Sequence, residues 1–126
     1  MDGWGREMLQ SGQEQRRRAM RTQWIRESRL AKARLDYLEE RAPQLLEQML
    51  ENNSLEADLK SMVSMAERAQ EKGEQRGLYE SEALELALAV VAPAEALEWE
   101  RKGEDRPELS PVGRGMLEKW KREQGM

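Results

Sequence analysis

The chain has no cysteine, no histidine and no phenylalanine. The first two absences exclude disulfides, thiolate chemistry, the usual Cys/His zinc sites and every mechanism that needs an imidazole. Four Trp and two Tyr are its only aromatic residues, 5% of 126, so any core must be built from Leu, Ala, Met and Val. No long apolar run is present either. The most apolar stretch, Leu84 to Leu97, contains Glu85, Pro93 and Glu95 and falls short of the roughly 20 residues that a membrane helix needs. The start, Met-Asp-Gly-Trp-Gly-Arg-Glu, lacks the apolar segment of a secretory signal. Together with the missing cysteine this gives a soluble, cytoplasmic expectation, with no membrane partner.

What is present is charge. Charged residues are 37% of the chain against 38% hydrophobic, and mean hydropathy is -0.94; one lean helical domain is expected at this length. The net charge of -4 conceals three blocks. Residues 1 to 35 carry nine basic and four acidic side chains, residues 36 to 105 seven and eighteen, and residues 106 to 126 five and three. The resulting basic, acidic, weakly basic order suits pairing within the chain, a basic arm for nucleic acid, or a partner of opposite pattern.

Helix signals dominate. After a loose lead-in over 1–13, residues 14–41 contain neither Gly nor Pro, and the spacing predicts one long helix. Met20, Trp24, Ala31, Leu35, Leu38 and Ala42 then share roughly 60° of arc at 100° per residue. Such a helix is a rod of roughly 42 Å, which points to an elongated bundle or hairpin. Pro43 ends it and starts a second helix bearing Leu45, Leu46, Met49 and Leu50. Asn53 with Glu56 resembles a capping box for a third, running to about Lys72 with Leu55, Leu59, Met62, Ala66 and Ala69 on one face. Gly73 and Gly77 bracket a turn. Ser81 is the expected N-cap of a central helix over 82–91, whose alternating Leu84, Leu86, Leu88 and Val90 would suit a strand were any second strand present to pair with it. Pro93 is expected to restart a helix to about Lys102, residues 103–115 to form a Pro/Gly linker, and Met116 to Gln124 a short terminal helix. The domain organisation is thus a lead-in, a helical domain over 14–102, the linker, and a C-terminal helix within 116–126. Ala-Pro followed by Leu-Glu recurs at 41–47 and 91–98, too briefly to mark a structural repeat.

Catalysis has little to draw on. Glu47 with Glu51, Glu67 with Glu71, and Glu95 with Glu98 are paired at helical spacing, but carboxylate-bridged metal bundles also use Glu-x-x-His. No phosphate loop, nucleophile elbow or dinucleotide fingerprint occurs. The expectation is a protein that is not an enzyme, with no catalytic, cofactor or metal residue assigned and no small-molecule substrate. Binding remains, in two forms. Arg18, Arg21, Arg29 and Lys32 would lie within about 80° on a continuous first helix, a candidate phosphate-binding row for salt-sensitive contact with nucleic acid. The acidic block next to it opposes such binding. Alternatively, Met49, Met62 and Met65 enrich the helical faces, and Trp99 and Trp120, flanked by charge, are candidate anchors for a protein partner or for self-association. The reading is an all-α, elongated bundle or hairpin of four to six helices. Its expected work is that of a non-catalytic protein–protein interaction subunit, adaptor or regulator within a larger assembly, with a nucleic-acid-binding accessory protein as the alternative.

Overall fold

A computed structural model describes Trp24, Ile25 and residues 28–126. The fold is all-α: α1 (Arg29–Arg41), α2 (Pro43–Glu51), α3 (Leu55–Gln75), α4 (Glu80–Val91), α5 (Glu98–Arg101) and α6 (Pro111–Glu123), with no strand among the described residues. The lead-in over 1–13 lies outside the described residues.

The uninterrupted helix expected over 14–41 does not form. Trp24 and Ile25 are helical, but Ser28 stands at φ -81°, ψ 117°, and its Oγ accepts a hydrogen bond from the Ala31 N–H at 3.1 Å. A serine hydroxyl competes for the free amides of a helical first turn and is worth about 1 kcal/mol as an N-cap. The break resets the helical phase. Ile25 is fully buried although it lies off the expected stripe, and Leu30 joins Ala31, Leu35 and Leu38 inside. The longest described helix is therefore α3, with 21 residues, rather than the first.

Two devices stop the helices. After α2, α3, α5 and α6, Asn53, Gly77, Gly103 and Gly125 take positive φ. The next residue's N–H then returns to a carbonyl five residues back, as in Ser54 to Met49 at 2.8 Å and Leu78 to Gly73 at 3.0 Å. Asn53 thus closes α2 instead of capping α3, whose N-cap is Ser54. At α1 and α4 the stop is Ala-Pro: Ala42 and Ala92 both leave the helical region. Pro43 opens α2 as expected. Pro93 opens nothing, and the chain stays irregular until α5. Pro111 opens α6, so the C-terminal helix begins five residues before Met116 and takes in Gly113 and Gly115.

The core collects Ile25, Leu30, Leu35, Leu38, Leu46, Leu50, Leu55, Leu59, Val63, Val91 and Leu117 around Ala31, Ala66 and Ala87. Each leucine removed from water contributes roughly 2 kcal/mol. Trp24, Tyr37 and Trp120 lie at its margin, half-buried. The most extensive pairing is α3 with α4, and both also pack on α1; α2 touches α1, α3 and α6. Leu117 places α6 in the same core as the rest of the chain.

The α3–α4 hairpin closes through small residues. Gly73 does not break α3 but is buried within it: a Cβ there would stand 3.1 Å from Leu78 Cδ1, 3.2 Å from Leu86 Cδ1 and 3.5 Å from Ala83 Cβ. Helix α4 starts at Glu80 with Tyr79 as its N-cap, two residues before the expected Ser81. It buries Ala83, Ala87 and Val91, not its leucines. Leu84, Leu88 and Val90 are half-buried and Leu86 is exposed. Consecutive alternate positions on a helix lie about 200° apart, so the leucines flank the alanine face on both sides. This helix is apolar on one side and its edges, not central.

Candidate functional site

Two arginines on α1 hold polar groups of α3, of the end of α4 and of the chain that follows it. Arg34, 7% exposed, donates from Nε and Nη2 to the Asp58 carboxylate at 3.1 and 3.3 Å, and from Nη1 to the Val91 carbonyl at 3.1 Å. The last bond satisfies a carbonyl at the C-terminal end of α4, where a cation is also favoured by the helix dipole. Two turns on, Arg41 donates to the carbonyls of Pro93 at 2.8 Å and Glu95 at 3.1 Å and pairs with Glu100. The hydrogen bond from Arg41 to Glu100 raises the pKa of Arg41 further. Tyr37 lies between the two guanidinium groups, 5.3 Å from Arg34 and 5.7 Å from Arg41.

Trp99 joins the same network: its indole N–H donates to the Arg41 carbonyl at 3.0 Å, and the ring is half-buried. Trp120 is half-buried against the core. Both expected anchors thus have places inside the fold. At α6, Ser110 Oγ donates to Glu47 Oε1 at 2.5 Å and accepts from the Gly113 N–H at 3.0 Å. A Cβ on Gly113 would meet the Glu47 carboxyl at 3.0 Å, so the glycine lets a carboxylate from α2 approach the amino end of α6. Lys121 reaches Glu39 at 2.9 Å. The ties Arg34–Asp58 and Lys121–Glu39 join each basic block to the acidic one within a single chain.

Of the expected phosphate row, Arg18 and Arg21 lie outside the described residues. Arg29 and Lys32 are exposed on α1 and line a depression with Ala33, Asp36 and Leu88. The non-helical Ser28 interrupts the phase that would have set all four on one face. Asp36, one turn beyond Lys32, offsets part of the positive potential.

The outer side of α4 is different in kind. Tyr79 is 77% exposed and Leu86 45% exposed; Met65, on the paired helix α3, is 50% exposed. Glu82 and Leu86 lie about 40° apart on α4, beside the buried face of Ala83, Ala87 and Val91, and Tyr79, the extended N-cap at φ -66°, ψ 156°, stands at the amino end of the helix. Leu78 and Leu86 both reach the buried Gly73 of α3, so the exposed part of Leu86 borders the α3–α4 seam. On α4 itself the charge has one sign, while the exposed Lys72 and Arg76 stand at the end of α3 just before it. Residues 77–100 contain six glutamates and neither Lys nor Arg, and Glu80, Glu82 and Glu85 of α4 are exposed with the apolar pair, Glu85 beside Leu86 in sequence. A division of the charge into three long blocks hides this run; the unbroken series of glutamates, with Tyr79 and Leu86 seven apart, is the signal that would have found it.

Among the described residues, no group of three or more Asp or Glu side chains is placed to hold a metal ion, and no helix is long and apolar enough to cross a membrane. Comparison with protein-family models, with curated proteins and with solved structures finds no match for this chain.

Proposed function

We propose that the chain is a non-catalytic protein–protein interaction subunit, an adaptor or regulator within a larger assembly, and that the outer side of α4 is its docking surface. The observation that carries this is the exposure of Leu86 on α4 and of Tyr79 at its amino end, on a helix whose buried face is packed on α1 and α3. Large apolar groups left on a single helical face, with polar residues around them, mark a surface completed by another chain. An elongated bundle presenting α4 along one side, in a reducing cytoplasm, completes the reading. The test is complex formation by the full chain. Tyr79→Ser and Leu86→Ser together should reduce the native mass of the assembly by light scattering while circular dichroism stays unchanged; an assembly that survives both substitutions contradicts the assignment.

The second reading, an accessory protein that holds nucleic acid, draws on Arg29 and Lys32, exposed one turn apart. Replacing Arg18, Arg21, Arg29 and Lys32 by Gln should then weaken duplex binding at low salt and flatten its salt dependence. Unchanged affinity removes this face from consideration.

A further inference from the structure

Resting on the docking reading of α4, we propose the chemistry of its occupant: a cationic amphipathic helix of another protein, its apolar side chains on Tyr79 and Leu86 and its Lys or Arg residues over Glu82 and Glu85. Charge complementarity on a surface with an apolar ridge supports this assignment. Burial of Ala83, Ala87 and Val91 fixes the rotation of α4. That rotation leaves Leu86 and Glu82 at the edge of the packed face, and Tyr79 precedes the helix at its amino end, about 10 Å from Leu86 along the axis at 1.5 Å per residue, a distance that two turns of a docking helix span. Glu98 and Glu100 pair with Lys102 and Arg41, whereas α4 itself carries Glu80, Glu82 and Glu85 and no basic residue. A polyanion is repelled by this surface, and an acidic or neutral helix leaves the glutamates uncompensated at a contact rim. A basic helix satisfies both features at once.

Two properties of the site make the proposal separable from folding. Tyr79 is the N-cap of α4 and makes no side-chain capping bond, so Tyr79→Ser removes the ring and supplies a preferred capping hydroxyl. Glu82 and Glu85 are exposed, so their replacement by Gln alters charge with little effect on packing.

The experiment titrates the full chain with two synthetic helical peptides of about 14 residues that share one leucine pattern at i, i+3, i+4 and i+7, one carrying lysine and the other glutamate elsewhere. The lysine peptide should bind one to one and the glutamate peptide should not. Leu86→Ser should weaken the lysine peptide about tenfold and Tyr79→Ser by a similar factor. Glu82→Gln with Glu85→Gln should weaken it about threefold to tenfold, an effect that added salt also produces. Equal binding of both peptides, lost on Leu86→Ser, would keep the docking surface and overturn its cationic occupant. Binding that ignores both Tyr79→Ser and Leu86→Ser in folded protein, or no binding at all, would overturn surface and occupant together. A native mass of two copies that returns to one on Tyr79→Ser would show a second copy on the ridge and also overturn the proposal.

Discussion

Arg34 is bonded to one end of α4 and Tyr79 stands at the other, yet the chain treats them oppositely. The charged side chain is 7% exposed and holds a carboxylate and a main-chain carbonyl, while the aromatic one is 77% exposed at the start of a helix. Around Arg34 and Arg41 the chain is closed on itself: a helix end and a loop are tied to two guanidinium groups, and a tryptophan indole to the Arg41 main-chain carbonyl. Along α4, by contrast, Leu86 and three glutamates are exposed, with Tyr79 exposed at its amino end. The contrast shows where to look for function in a lean helical protein. Buried polarity here is structural, and exposed apolarity is where we place binding.

The largest effect should come from the closed region. Arg34→Met strands the Asp58 carboxylate and the Val91 carbonyl, and removing one partner of a buried pair costs about 3 kcal/mol or more. Urea unfolding should show the loss, and the double variant Arg34→Met, Asp58→Leu should recover much of it. If the single variant is as stable as the parent, Arg34 does not hold this junction. Next is Trp99→Ala, which deletes a half-buried ring and the hydrogen bond to the Arg41 carbonyl, for about 2 kcal/mol. The same variant separates the two regions further. Loss of stability with complex formation intact places Trp99 in the closed region, whereas intact stability with a lost complex returns it to the role of partner anchor.

In the open region the effects should fall on binding. Leu86→Ser, at a side chain 45% exposed, should cost about 1 kcal/mol of stability or less while removing most of the peptide affinity. Smallest of all is the stability change from Tyr79→Ser, within about 0.5 kcal/mol and in the stabilising direction. Thermal melts of the two variants beside the parent check both, and a large destabilisation by Tyr79→Ser would show that the ring belongs to the packing.

The helical class and most helix faces were legible in the sequence, because leucines and alanines at i, i+3 and i+4 leave few alternatives. Leu55, Leu59 and Ala66 are buried as their spacing requires, and the two Ala-Pro pairs end helices as expected. The local signal could not decide the backbone conformation after each proline. After Pro43, Leu46 and Leu50 enter the core and a helix forms to bury them. After Pro93 the residue at the position corresponding to Leu46 is Ala96, which is exposed, and the Pro93 carbonyl that a helix would use is taken by Arg41. The deciding partner lies 52 residues away, beyond the reach of any window. Ser28 and Gly73 misled in opposite senses: a serine within a strongly helical run broke it through its own hydroxyl, and a glycine expected to break a helix is instead a point of close approach by α4. The site was hidden for a similar reason. Which of Leu84, Leu86 and Leu88 remains outside depends on the rotation of α4, and Ala83 and Ala87 set that rotation by admitting α3.

The assignment of α4 as the binding surface is best tested by the amide and indole proton–nitrogen spectrum of the full chain during titration with the lysine peptide. Shifts should be concentrated over residues 78–90, with the Trp99 and Trp120 indole signals unmoved. Shifts centred on Arg29 and Lys32, or on the two tryptophan indoles, with 78–90 unchanged, would contradict it.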